Sequence, residues 1–264
     1  MRNLLSLVLV ITAVIYLPMQ GYDCVDIIGG HNVANNSRLY MASIQFKKEH
    51  VCGGALIKPQ WVLTAAHCKN ITVAETEVVV GSHSLSKQKN KQTIKLKKMF
   101  PHPNFTWETF GYDIMLLQLK NKAILNKSVS TLKLPKSTKG VKPGTKCSVA
   151  GWGATATELY SDTLQEANLT VLKTEICKKI YLLNVTNDMI CALGKDSKQD
   201  VCMRDSGGPL ICKKKWSRQN VYSGIVSFGS PCKDNIKPGV YTHLSNNYLS
   251  WINKDWETRK LTLK

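Results

Sequence analysis

The sequence predicts an all-β fold, a barrel or a sandwich, from three observations. Short strand-like runs recur along the chain, clusters of Gly, Pro, Asn and Ser separate them, and no alternation of strand with helix occurs. The 264 residues suffice for one large domain or two small ones with a buried core. Hydrophobic residues make up 43% and charged residues 20%, which excludes a disordered or collagen-like chain.

Taken in order, residues 1–24 read as a secretory signal: Arg2 supplies the positive start, Leu4 to Leu17 is apolar, and Pro18 ends the run. That run is shorter than the ~20 residues a spanning helix needs, and no later one reaches that length, so no membrane anchor is expected. The strand-like runs are Met41–Phe46, Glu77–Val80, Ile94–Leu96, Asp113–Leu119, Leu164–Leu172, Tyr222–Phe228 and Gly239–Leu244. Midway, Lys133 to Lys146 is rich in Lys, Pro and Gly and reads as a linker between two β halves. Asn246–Trp256 is the helix candidate, with Leu249, Ile252 and Trp256 on roughly one face.

Nine cysteines in a secreted chain point to disulfides. Cleavage after Cys24 would leave eight: Cys52, Cys68, Cys147, Cys177, Cys191, Cys202, Cys212 and Cys232. Eight cysteines allow about 105 pairings, among which spacing does not choose. No CxxC pair occurs, so no metal site is expected, and no cofactor. Asn-x-Ser/Thr sequons start at Asn35, Asn70, Asn104, Asn126, Asn168 and Asn184, each a glycosylation candidate. The formal charge of +18 predicts attraction to polyanions, sulfated glycans among them. Lys87, Lys89, Lys91, Lys95, Lys97 and Lys98 form one basic cluster, and Lys213 to Lys215 with Arg218 another.

Three segments carry chemistry: Leu63-Thr64-Ala65-Ala66-His67-Cys68, Asp113-Ile114-Met115-Leu116-Leu117 and Asp205-Ser206-Gly207-Gly208-Pro209. Peptide hydrolysis by a serine needs a base to take the hydroxyl proton, and an imidazole, which titrates near neutrality, can do this and later protonate the leaving amine. A buried carboxylate must hold the imidazole tautomer, and two N–H donors must face the developing oxyanion. His67, Asp113 and Ser206 offer one candidate for each catalytic part, in that chain order. The α/β-hydrolase elbow requires Gly two residues before the serine, where this chain has Arg204.

On these residues the chain resembles the trypsin/chymotrypsin family of serine proteases, from Ile27-Ile28-Gly29-Gly30 to Trp251-Ile252. Within that family it is most similar to the granzyme A and granzyme K group of killer lymphocytes. The segments responsible are Arg38–Ala42, Val141–Cys147 and Ser223–Gly229. The resemblance implies two six-stranded antiparallel β-barrels with a C-terminal helix, as one protease domain over residues 27–264. It implies the disulfides Cys52–Cys68, Cys147–Cys212, Cys177–Cys191 and Cys202–Cys232. It also implies activation by a new amine at Ile27 that pairs with Asp205. The residue before Ile27 is Asp26, so an activator that cuts after Lys or Arg should not act. Signal cleavage after Cys24 would leave Val25-Asp26, the pair a dipeptidyl peptidase trims in granzymes. Losing Arg2, Asp23 and Asp26 with that segment raises the formal charge to +19.

The resemblance further places Asp200 at the base of the primary pocket, which implies cleavage after Arg or Lys. Val201, Ser227, Phe228, Gly229 and Gly239 would line the pocket. Valine at 201 cannot accept a bond from a lysine ammonium, whereas an arginine can still pair with a carboxylate through two parallel bonds, so Arg is expected over Lys. The oxyanion donors would be the backbone N–H groups of Arg204 and Ser206. Family members have glycine at 204; the arginine side chain is expected to cross the leaving-group side of the cleft and exclude bulky inhibitors. Granzyme A relatives dimerise through a cysteine in the segment matching Pro101–Trp107, where this chain has Asn104, so a monomer is expected. The group also implies storage in secretory or lytic granules on a sulfated proteoglycan. The alternative reading is a cationic, heparin-binding or antimicrobial protein on an inactive protease scaffold. Arg204 favours it, and the presence of both His67 and Ser206 opposes it.

Overall fold

A computed structural model describes residues 30–35, 37–87, 91–136, 141–153, 161–181, 185–194, 205–214, 219–229 and 237–261. A two-residue strand, β1 (His31–Asn32), precedes two barrels. The first barrel comprises β2 (Met41–Phe46), β3 (Glu49–Lys58), β4 (Trp61–Thr64), β5 (Thr76–Val80), β6 (Gln92–Pro101) and β7 (Met115–Leu119). It closes in the order β2-β3-β4-β7-β6-β5. The second comprises β8 (Lys146–Gly151), β9 (Gln165–Val171), β10 (Met189–Gly194), β11 (Pro209–Lys213), β12 (Asn220–Phe228) and β13 (Gly239–His243). Its order is β8-β9-β10-β13-β12-β11, closed by the pairing of β11 with β8, and β1 adds to β9. Both barrels are antiparallel and share one connectivity, with the third strand followed round the ring by the sixth. The helices are α1 (Thr174–Ile180) and, after the second barrel, α2 (Asn246–Leu261). The all-β fold of two six-stranded barrels and a C-terminal helix is therefore the one the chain adopts. Among the described residues no helix is long and apolar enough to cross a membrane.

The run Met41–Phe46 is strand β2 residue for residue, and every other expected run overlaps a strand. Strands β3, β4, β8, β10 and β11 and helix α1 were not singled out by pattern. In β3, Gly53-Gly54 resembles turn punctuation but serves close packing. A Cβ on Gly54 would lie 2.7 Å from Val62 Cγ1, and one on Gly53 would lie 3.2 Å from Gly208 Cα in the other barrel. The β2–β3 hairpin turns on Lys47 and Lys48, with φ of 51° and 70°. That is the left-handed pair a two-residue turn requires, without the Asn-Gly signature that usually announces it.

The first-barrel core is continuous with Ile211, Tyr222 and Ile225 of the second barrel. All five residues of β7 are buried, and Leu116, Leu117 and Leu63 are among the largest fully buried side chains. Val149, Leu169, Ile190, Leu210 and Tyr241 form the second core. A third cluster of Val33, Met41, Val79, Leu85, Ala150, Trp152 and Leu164 joins the barrels. Tyr248, Leu249 and Ile252 of α2 pack into the same cluster as β4 and β7, so the C-terminal helix holds the first barrel although it follows the second. Disulfides pin Cys52 to Cys68, Cys147 to Cys212 and Cys177 to Cys191. Cys202 and Cys232 lie outside the described residues.

Leu116→Ala opens a cavity where no surface group can collapse inward. A loss of ~2–5 kcal/mol in unfolding free energy is expected, read by urea denaturation with an unchanged slope.

Candidate active site

The site lies on the seam between the barrels. The first barrel supplies His67, in the short 3₁₀ turn Ala66–Lys69 directly after β4, and Asp113, two residues before β7. β4 and β7 are neighbours, with Thr64 opposite Met115, so their register brings the imidazole and the carboxylate together. A bond from Ile114 N–H to Tyr112 C=O at 2.8 Å folds a tight turn with Asp113 at its apex.

The Asp113 side chain is fully buried, and three donors meet it. His67 Nδ1 lies 2.7 Å from Oδ2, the backbone N–H of His67 donates to Oδ1 at 2.8 Å, and Ser227 Oγ donates to Oδ2 at 2.5 Å. Thr242 Oγ1 donates to the Asp113 carbonyl at 2.9 Å. A buried carboxylate without partners would cost several kcal/mol, and here charge-assisted bonds from both barrels replace its lost water. With Nδ1–H directed at the carboxylate, Nε2 of a neutral His67 carries the lone pair. Ser227, expected in the pocket wall, thus also holds Asp113. Thr242 was missed, because nothing near it in the sequence distinguishes it from any other strand threonine.

The second barrel supplies Ser206 on a turn leading into β11. The first barrel holds that turn by its backbone, since Gly53 N–H donates to Ser206 C=O at 2.8 Å. Gly207 N–H donates to Val226 C=O at 2.8 Å and Gly208 N–H to Asp205 C=O at 2.9 Å. Gly207 has φ of 82°, and a Cβ there would lie 2.0 Å from Thr64 Oγ1. Glycine is required twice over, for the left-handed conformation and for the contact between barrels. The serine turn therefore sits against Thr64 and Ala65, with Cys68, the residue after His67, 3.9 Å through its Sγ from the Ser206 carbonyl oxygen. Cys52, His67 and Cys68 form the one cluster of metal-ligand type among the described residues, but its two sulfurs are bonded to each other.

Asp205 is fully buried, and its Oδ1 accepts a bond from Gly153 N–H at 2.9 Å. The turn Gly151-Trp152-Gly153 packs on this carboxylate so closely that a Cβ on Gly151 would lie 2.1 Å from Oδ1.

An aromatic wall flanks His67. Phe110 lies 5.7 Å from the His67 ring and 5.3 Å from Phe228, and it also touches Trp107 and Phe105. Phe110 and Tyr112 both have positive φ, 52° and 58°, a conformation that is costly for bulky side chains. Ring contacts hold them there, with Tyr112 stacked on His102 at 4.7 Å and edge-on to Tyr248. Burial pushes the Tyr248 hydroxyl above the usual phenol range. On the other side, the position of a Cβ on Gly229 lies 3.6 Å from Gly239 Cα, so the two expected wall glycines face each other. Tyr181 supports them, packing edge-on to Phe228 and donating to Pro238 C=O at 2.7 Å. Ile27, Asp200, Val201, Arg204 and Asn184 lie outside the described residues.

A family model described as Trypsin matches residues 27–252. The chain belongs to the trypsin family. Similar members include granzyme A of Bos taurus, 45% identical over 239 residues that span 88% of each chain. Granzyme B(G,H) of Mus musculus is 44% identical over 236 residues, 87% of this chain and 90% of that one. Mast cell protease 3 of Ovis aries is 42% identical over 233 residues, 86% and 88%. The chain is thus a trypsin-family serine protease similar to granzyme A.

In this trypsin-family scaffold the Asp205 carboxylate leaves no room for a side chain at Gly151 or Gly153. Gly153→Ala would place a methyl 2.4 Å from the Asp205 carboxylate carbon. A loss of ~1–3 kcal/mol is expected from such overpacking, measured by thermal unfolding.

Proposed function

We propose that the chain is a secreted, granule-stored endopeptidase of immune cytotoxicity that cuts after Arg, and less well after Lys, by acyl transfer. The observation that supports it most is the pairing of the buried Asp113 with a half-buried His67, whose neighbour Cys68 meets the turn that bears Ser206. Ser206 loses its hydroxyl proton to His67 Nε2 as its oxygen bonds to the scissile carbonyl carbon. The carbonyl electron pair moves to oxygen, where the N–H groups of Ser206 and Arg204 stabilise it. The intermediate collapses, the C–N bond breaks, and the imidazolium protonates the leaving amine. Water then repeats the sequence on the acyl-enzyme, again with His67 as base, and frees the acid and Ser206. Asp113 holds the ring and stabilises the imidazolium.

Asp200 at the pocket base selects the guanidinium, and Val201, Phe228, Gly229 and Gly239 shape the walls. Residues 1–24 act as the signal and 25–26 as the activation dipeptide. Once a dipeptidyl peptidase removes the pair, the Ile27 amine joins Asp205. Asp205 lies buried against the turn at Gly153, from whose N–H it accepts a bond. Lys95, Lys97, Lys98, Lys213 and Lys214 are exposed, and they support storage on a sulfated proteoglycan by counterion-sensitive attraction. The protein works as a monomer.

Peptide-library cleavage by protein with a verified Ile27 start tests this reading. Arg is expected before the cut at a higher kcat/KM than Lys in matched peptides. Asp200→Ser, which removes one partner of a buried charge pair worth ~2–5 kcal/mol, should lower kcat/KM for Arg peptides by the corresponding ~30- to 5,000-fold. Ser206→Ala should reduce kcat on an Arg peptide amide by ~10⁶ with no change in thermal stability. Turnover that survives it would overturn the assignment.

A further inference from the structure

The fold brings together the neighbours of two sequons 34 positions apart, close to His67. Asn70 is the residue that ends the 3₁₀ turn holding His67. Asn104 follows β6 by three residues. The fold joins their neighbours, with Lys69 Nζ 5.1 Å from the centre of the Phe105 ring. Phe105 in turn touches Phe110, whose ring faces His67. Both asparagines are exposed, and both stand on short loops held by their own bonds. Thr72 Oγ1 donates to Glu75 at 3.0 Å, and Thr76 Oγ1 donates to Thr72 C=O at 2.5 Å. Thr106 and Thr109 share a hydroxyl bond at 2.7 Å. The other described sequons stand on other segments. Asn35 precedes β2, Asn168 lies on β9 in the second barrel, and Asn126 Oδ1 accepts from the N–H groups of Ser128 and Val129 in its own turn.

We propose that N-linked glycans on Asn70 and Asn104 form one steric rim over the His67 side of the cleft, passing extended peptides and slowing folded protein substrates and inhibitors. The proposal rests on the protease reading above. A glycan is bulky and solvated, and on a rigid loop it occupies the space that a folded partner's broad surface must enter. An extended peptide is narrow and lies along the cleft beneath it. The rim therefore acts on association with macromolecules and leaves the chemical step alone.

The test uses protein secreted from mammalian cells with a verified Ile27 start. Three forms are compared: unaltered, Asn70→Gln with Asn104→Gln, and a control carrying Asn35→Gln, Asn126→Gln and Asn168→Gln. Glycosidase treatment of the folded, unaltered protein gives a second route to the bare rim if the double variant is poorly secreted. Peptide mapping should find sugar on both Asn70 and Asn104. The double variant and the glycosidase-treated protein should cut a short Arg peptide with kcat/KM within about twofold of the unaltered form, yet associate with a folded, Arg-directed protein inhibitor ~10-fold faster. The control variant should match the unaltered form in both readouts. Absence of sugar at either site, or association rates within about twofold across turnover-competent forms, would overturn the rim. Absence of peptide turnover in every form would instead overturn the protease reading beneath it.

Discussion

Everything at the seam depends on burying the Asp113 carboxylate. A carboxylate taken out of water is tolerated only where donors replace its hydration. The donors here come from both barrels: the ring and backbone of His67 from the first, and the Ser227 hydroxyl from the second. Satisfying that one charge fixes the imidazole orientation and couples the barrels across 114 residues of sequence. Neither barrel alone could hold the group, because each lacks part of the donor set. The strained Phe110 and Tyr112 fit the same view, since two residues at positive φ aim the carboxylate inward while ring stacking offsets the conformational cost.

The seam also needs space, and glycines provide it. Gly53, Gly207 and Gly208 let the serine turn press against the first barrel, and Gly151 and Gly153 let a backbone turn wrap the buried Asp205. These are contacts of main chain on main chain or on a carboxylate, where any side chain would hold the parts apart. The Cys52–Cys68 disulfide closes the same region, fastening the residue after His67 to the strand that bonds Ser206. The site is thus assembled from hydrogen bonds and close approach, while the apolar cores on either side supply rigidity.

Much of this was legible in one dimension, for identifiable reasons. Short strand-like runs such as Met41–Phe46 stand out because clusters of turn residues separate them. The α2 pattern of Leu249 and Ile252 marked a helix face that does pack inward. Strand β3 was harder to see, because a glycine used for close approach and a glycine used for a turn look alike. The β2–β3 hairpin was silent, since two lysines take a left-handed turn normally signalled by Asn-Gly. Ser227 was visible as a pocket residue but not as a support for Asp113, and Thr242 and Tyr181 gave no signal, because their roles exist only across the barrel.

By itself the sequence determined the chemical inventory and its order: an imidazole, a carboxylate and a hydroxyl in ordered motifs, nine cysteines, and an all-β pattern in two halves. Those follow from local chemistry, which is written residue by residue. Only the tertiary structure decided which groups share a space. The registers of β4 with β7 and the insertion of the serine turn against Gly53 set those distances, and Lys69 meets Phe105, the neighbours of two distant sequons. Such contacts arise from ring closure and packing between barrels, and a linear chain carries no local signal for either.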